Sequence, residues 1–199
     1  ANIKLEFDKD RKLKDNYVFK GFIKDAKFNL TNDFNIKKLN LLFDFSKNKF
    51  LFSNIKFQLN NLDFNSKSVS IEKNQDYQTI KGNIFNDNIK LDEKNISFLR
   101  DKYSPYFNIK TIDFSSDNNF SMDIDKKFKF QNIKVNSTLN INQAKISHQY
   151  NLKNFFPNIN NEIILSKNKI ELDYKKKNFK INGQGDILLQ NNNDSFSFN

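Results

Sequence analysis

The chain has 199 residues, a formal net charge of +10 and no cysteine. The missing thiols exclude disulfides, thiol catalysis and cysteine-ligated metal, and they leave the redox compartment open. No apolar run approaches the roughly 20 residues of a membrane helix, and no signal peptide is visible. The apolar fraction of 37% is low beside the roughly 45–50% of ordinary domains, counted with glycine. Within it are 23 Phe, and the polar set is dominated by 35 Asn and 31 Lys against two arginines, Arg11 and Arg100. Asn, Lys, Ile and Phe share A/T-rich codons, so base bias explains much of this usage. A basic chain suggests nucleic acid or an anionic membrane as partner. A phosphate-reading face would use Arg for bidentate contacts, which argues against nucleic acid.

Taken in chain order, the elements are strands. Tyr17 to Leu30 reads as one long strand of about 14 residues, against about 5–6 for an ordinary one. Leu39, Leu41, Phe43 and Phe45 alternate with mostly polar residues, then Ser46-Lys-Asn-Lys49 intervenes, then Phe50 and Phe52 follow. This is a hairpin with one apolar face. A two-residue Lys47-Asn48 loop pairs Phe45 with Phe50 and Phe43 with Phe52, and it calls for positive φ. Ile55 and Phe57 then fall out of phase with Phe50 and Phe52, which predicts a bulge or break near Ser53-Asn54. Val69 to Ile71 and Ile80 to Ile84 continue the pattern.

Asp92 to Tyr103 differs. Ile96, Leu99 and Tyr103 stand at helical spacing, Asp92 is placed to cap the helix, and Pro105 to end it, predicting one short helix near 92–104. Beyond it, Ile109 opens a fresh set of strands. Phe120, Met122 and Ile124 alternate with polar residues, as do Ile133, Val135, Leu139 and Ile141. Asn154-Phe-Phe-Pro157 reads as a loop. Ser166-Lys-Asn-Lys169 repeats the earlier turn, and a Lys167-Asn168 loop would pair Leu165 with Ile170 and Ile163 with Leu172. Ile80-Lys-Gly-Asn-Ile84 is echoed by Ile181-Asn-Gly-Gln-Gly185. The whole gives about thirteen strands in an all-β, mostly antiparallel meander. The expected organisation is a single segment over 1–199, with strand-rich lobes 1–91 and 108–199 separated by the helix. The closing Ser-Phe-Ser-Phe-Asn reads as mid-strand, so the chain is expected to be part of a longer protein.

Residues for chemistry are few. His148 is the one histidine, and its neighbour Ser147 points to the opposite strand face, so the two cannot act as nucleophile and base. One His and no Cys leave no nitrogen or sulfur metal site. Asp123 and Asp125 share a face and could hold a cation, but read as a solvated polar surface. Gly183-Gln-Gly185 has no helix after it and is no dinucleotide fingerprint. Glycines in strands mark bends or close backbone approach. The N-x-S/T sequons, among them those at Asn29, Asn95, Asn136 and Asn193, are about as many as the composition yields by chance. In Lys126-Lys-Phe-Lys-Phe130, alternation parts Lys from Phe, unlike a single-strand nucleic-acid platform. No enzyme activity, cofactor or metal is expected.

A one-faced sheet must bury its apolar side. One short helix cannot cover it. A second sheet could, giving a sandwich; so could an apolar ligand lying in a long sheet curled into an open groove. A Phe, Ile and Leu lining with few polar anchors suits an acyl chain, which gains up to about 0.8 kcal/mol per buried CH₂ and stays free to slide.

The stretches Phe19-Lys-Gly-Phe-Ile-Lys-Asp-Ala-Lys-Phe28, Leu39 to Phe57, Asn61-Leu-Asp-Phe64 with Ser68-Val-Ser-Ile71, and Ile80-Lys-Gly-Asn-Ile84 carry a resemblance. With the short helix and the strands from Ile109 that follow, their succession resembles the AsmA-like proteins of Gram-negative envelopes. These belong to the repeating β-groove, bridge-like lipid-transfer proteins. The resemblance spans most of the chain as a pattern, without a diagnostic motif. It implies a periplasmic β-groove that carries phospholipid between membranes, anchored in the inner membrane by a helix outside this segment, with no catalytic residues. On this reading acyl chains lie on Leu39, Leu41, Phe43, Phe45, Phe50, Phe52, Ile55, Phe57, Ile133, Val135, Leu139 and Ile141. The rival reading is a structural or adhesive β-sandwich of a bacterial surface protein. An outer-membrane barrel fits less well, since it wants aromatic girdles.

Overall fold

The computed structural model describes residues 2–12, 14, 16–29, 34–96, 107–148, 162–189 and 192–199. The strands are β1 (Asn2–Lys4), β2 (Val18–Asn29), β3 (Asn35–Ser46), β4 (Lys49–Leu59), β5 (Leu62–Lys73) and β6 (Tyr77–Asp92). They continue as β7 (Phe107–Asp125), β8 (Phe130–His148), β9 (Glu162–Lys175), β10 (Asn178–Leu189) and β11 (Asn192–Phe198). All eleven form one antiparallel sheet in sequence order. The sheet is open, with β1 and β11 at its edges. Among the described residues there is no second sheet.

Residues 93–96 are helical. The Asn95 N–H donates to Asp92 Oδ1 at 2.9 Å, the N-cap bond expected of Asp92. The rest of the expected helix, Pro105 and the 154–157 loop lie outside the described residues.

The described residues form eleven strands where about thirteen were expected, because stretches read as separate are continuous. Residues from Ile109 and those around Phe120 form one 19-residue strand. Ile133 to Ile141 continues through Ile146 in another of 19. Ile163–Leu165 and Ile170–Tyr174 likewise join in β9.

That junction is a correction. The second Ser-Lys-Asn-Lys does not turn. Lys167 takes φ 53° inside β9 and the strand runs on. A single extra residue in left-handed conformation changes the alternation phase as a two-residue turn would, so Ile163, Leu165, Asn168 and Ile170 keep one face. The first copy does turn: Ser46 pairs with Lys49, Phe45 with Phe50 and Phe43 with Phe52. Its φ differs from expectation, since neither Lys47 nor Asn48 is among the described residues with positive φ.

Bulges recur across the sheet. Relative to β3, β4 has an extra residue between Ser53 and Lys56, at the expected place, and Asn54 takes φ 52°. Strand β2 has its own at Asp25 (φ 53°), and β3 has one at Lys38 (φ 50°) that offsets both neighbours. Asn40 ties this line together: its Oδ1 accepts the Asp25 N–H at 3.2 Å, and its Nδ2 donates to the Lys38 carbonyl at 2.7 Å. In β5 the extra residue lies between Asn65 and Val69. There Asn83 Oδ1 accepts the N–H of Lys67 at 3.0 Å. Each bulge lets the apolar series step by three (Ile23 to Ala26, Phe52 to Ile55) and stay on its face, while bending the strand.

Two compact units divide the chain. The first comprises 1–86, 118–136 and 174–178; the second comprises 87–117, 137–173 and 179–199. Among the described residues, the second contains most of the buried apolar side chains: Ile89, Leu91, Ile96, Ile141 and Ala144. In the first, Ile55 is the one such side chain among the described residues.

Candidate functional site

The first unit presents a sheet face built from cross-strand rows. Phe19, Phe45, Phe50, Ile71 and Ile80 form one row, partner by partner from β2 to β6. The adjacent row is Gly21, Phe43, Phe52, Val69 and Gly82. Residues two apart on a strand share a face, so the rows make one surface. Its rings touch one another. Phe43 stacks on Phe45 at 4.8 Å and on Phe19 at 5.5 Å, and Phe45 meets Phe50 and Phe52 edge-on at 5.0 and 5.4 Å. Such pairs contribute about 0.5–1.5 kcal/mol each beyond burial. Phe57 stacks on its partner Phe64 at 5.7 Å.

The glycines serve this packing. None has positive φ. A Cβ on Gly21 would overlap the Phe43 ring, and one on Gly183 the Phe198 ring; one on Gly82 would lie 2.9 Å from Phe120 Cζ. Each glycine is the space into which a neighbouring strand's ring leans, the close approach that strand glycines mark. Gly185 receives the Asn168 side chain in the same way.

Of the twelve side chains expected to line an acyl-chain surface, Phe43, Phe45, Phe50 and Phe52 pack ring to ring. Leu39 and Leu41 extend β3 from them, paired with Ala26 and Ile23. Ile55 is buried and Phe57 half-buried beyond the β4 bulge. Ile133 and Val135 belong to the first unit, Leu139 and Ile141 to the second. Sequence reading omitted Phe19, Phe64, Ile71, Ile80 and Phe120, although the same alternation marks them.

The opposite face is mixed. Lys20 pairs with Asp44 at 2.6 Å, and Lys49 with Glu72 at 3.3 Å. Phe22 and Leu42 sit opposite each other there, and Phe22 is 65% exposed.

The carboxylates have structural partners. Asp123 accepts from Thr79 Oγ1 and Asn132 Nδ2, both at 2.8 Å. Asp125 accepts the N–H groups of Lys127 at 2.8 Å and Lys129 at 3.0 Å and closes the β7–β8 turn. The Lys129 backbone bond, first among several donors, holds its carboxyl below the usual range. In the second unit Glu162 bridges Lys110 and Lys145, each at 2.8 Å. The Lys110 hydrogen bond, then that of Lys145, lowers the Glu162 pKa, and Glu162 raises that of Lys110. Ser147 Oγ donates to the Asn108 carbonyl at 3.4 Å. Among the described residues no group of three or more His, Cys, Asp or Glu could hold a metal. No described helix is long and apolar enough to cross a membrane. The geometry offers an apolar surface of aromatic rings rather than a converging set of reactive groups. Comparison with protein families, with curated proteins and with solved structures finds no match.

Proposed function

We propose that this chain is a non-enzymatic lipid-handling module that shelters acyl chains against the Phe, Ile and Leu face of its open sheet. One observation carries the reading: the first unit has a continuous aromatic face, yet Ile55 is the one buried apolar side chain among its described residues. Phe43, Phe45, Phe50 and Phe52 cover one another only partly. A protein core would cover them, and a sheet with one apolar face needs something against it. Acyl chains match this lining, because neither side brings unpaired polar groups. The adhesive-sandwich reading requires a second sheet, and the described residues form one. Phospholipid as cargo, a periplasmic setting and an inner-membrane anchor outside this segment rest on the AsmA-like resemblance.

Native mass spectrometry of the purified chain tests the reading. Lipid is expected to co-purify. Phe43→Asp and Phe45→Asp, which place a charge inside the ring cluster, are expected to abolish both lipid retention and transfer between vesicles. Protein free of lipid, together with unimpaired transfer by both variants, would sink it.

A further inference from the structure

Consecutive antiparallel strands place alternate turns at opposite ends of a sheet. Within the first unit, the β4–β5 turn at one end is Asn60-Asn61, with φ of 50° and 68°. At the other end, the β9–β10 turn is Lys176-Lys177, with φ of 52° and 67°. Both are two-residue loops with positive φ at each centre, a geometry for which Asn and Gly are the low-cost residues. The first of these turns thus meets the geometry with neutral amides. The other accepts backbone strain and presents two cations.

The β7–β8 tip, on the cationic end, repeats the choice with an aromatic. Phe128 has φ 59°, a left-handed conformation that is an outlier for a bulky residue. It is 85% exposed, the highest value among the described large hydrophobic side chains. Asn occupies such backbone at Asn54, Asn60 and Asn132, so turn geometry does not ask for Phe here. Strain held at an exposed position points to function. Around Phe128 stand Lys126, Lys127 and Lys129. The tips 46–49 and 73–77, at the same end, add three lysines against one aspartate. The tips are linked: the Lys73 N–H donates to the Asn48 carbonyl at 2.8 Å, and Lys126 reaches Asp76 at 3.1 Å. Asp125 is engaged by its own turn. The β1–β2 connection, also at this end, carries both signs.

We propose that this hairpin end docks on an anionic lipid bilayer, with Phe128 entering the interface and the lysines facing the headgroups. A projecting aromatic ringed by ammonium groups matches that surface in both respects. Aromatic rings settle at headgroup depth, and each lysine near an anionic leaflet adds attraction. A single-stranded nucleic acid would instead call for several rings along a groove, and Phe128 is one ring in a turn. The docking end stands apart from the acyl-chain reading: vesicle binding and lipid cargo are measured separately, and either can fail alone.

The test is flotation of the full chain with phosphatidylcholine vesicles and with mixed phosphatidylcholine–phosphatidylglycerol vesicles. Binding is expected to the mixed vesicles alone and to weaken as salt is raised. The double variant Lys176→Asn/Lys177→Asn should lower affinity roughly tenfold or more. Phe128→Asn should lower it about tenfold. Asn suits positive φ, so both variants should melt at or above the wild-type temperature by circular dichroism. Lys24→Asn, in the body of β2, should bind as wild type. Equal affinity for neutral and anionic vesicles, undiminished binding by the tip variants, or preference for a single-stranded oligonucleotide would each overturn the proposal. The lipid-composition and salt arms use the wild-type chain and decide the matter even if a variant folds poorly.

Discussion

Ser46-Lys-Asn-Lys49 and Ser166-Lys-Asn-Lys169 are the same four residues in two structures. The first is a hairpin tip whose Asn48 is exposed. The second lies inside β9, where Asn168 retains only 2% of its accessible surface. The flanking apolar residues are spaced alike, and the odd step between them needs one change of phase. A two-residue turn supplies it, and so does one bulged residue. Partners from elsewhere choose. At the first copy Phe45 packs against Phe50 and Phe52 across the turn, Ser46 Oγ donates to the Lys49 carbonyl at 3.3 Å, and Asn48 receives the Lys73 N–H. At the second, Asn168 settles against Gly185 of β10, and its amide has no hydrogen-bond partner. A glycine on the neighbouring strand thus helps decide whether the same four residues turn or run on.

The comparison breaks most sharply under one substitution made twice. Asn168→Asp places an unpaired charge in a buried site and should cost about 3 kcal/mol or more; Asn48→Asp, at an exposed tip, should stay within about 0.5 kcal/mol. Urea denaturation of the two variants measures both, and equal losses would refute the assignment of turn and bulge. Next is Gly185→Ala, whose methyl would collide with the Asn168 amide and should cost about 1–3 kcal/mol. Adding Asn168→Gly should recover part of that loss, because the obstacle goes with the amide.

The pH dependence sharpens the contrast at the start of β9. Glu162 has a lowered pKa, so its stabilising contribution is complete above the unfolded-state value and is lost as pH falls through the lowered folded value. Lys110 is raised, so its share is present below its unfolded value and lost only as pH rises through the raised one. Glu162→Gln should therefore flatten the acid limb of stability, below the ordinary glutamate range, in urea melts taken from neutral to acid pH. Glu72→Gln, beside the first copy, removes a partly exposed pair with Lys49 and should cost less than about 1 kcal/mol in urea melts at neutral pH. The smallest effect is Lys167→Asn: the left-handed residue becomes one that tolerates it, with a gain of about 0.5 kcal/mol.

Much of the fold was legible in alternation alone. The Phe43–Phe52 and Phe45–Phe50 pairs, the β4 bulge and the Asp92 cap follow from local spacing, because each is settled by residues close in sequence. The second Ser-Lys-Asn-Lys was misread because Asn168 is polar. A buried Asn hides the continuing apolar series, and the glycine that accommodates it belongs to another strand. The merger of stretches into 19-residue strands was hidden similarly, since polar residues such as Asn118 sit in their interiors; its Nδ2 donates to the Ile84 carbonyl at 3.0 Å. At the candidate surface the aromatic stripe was readable, but its partial cover was not, because cover depends on what the rest of the chain leaves open.

The compensating bulges at Asp25, Lys38 and Asn54 have a genetic consequence. Removing one of these codons would act as a frameshift in space: beyond the lesion, that strand would change faces and turn its phenylalanines to solvent. Matched deletions on neighbouring strands would restore the ladder. The length of β2, β3 and β4 can therefore drift in evolution only in concert, and an insertion tolerated in a turn would be ruinous a few residues away.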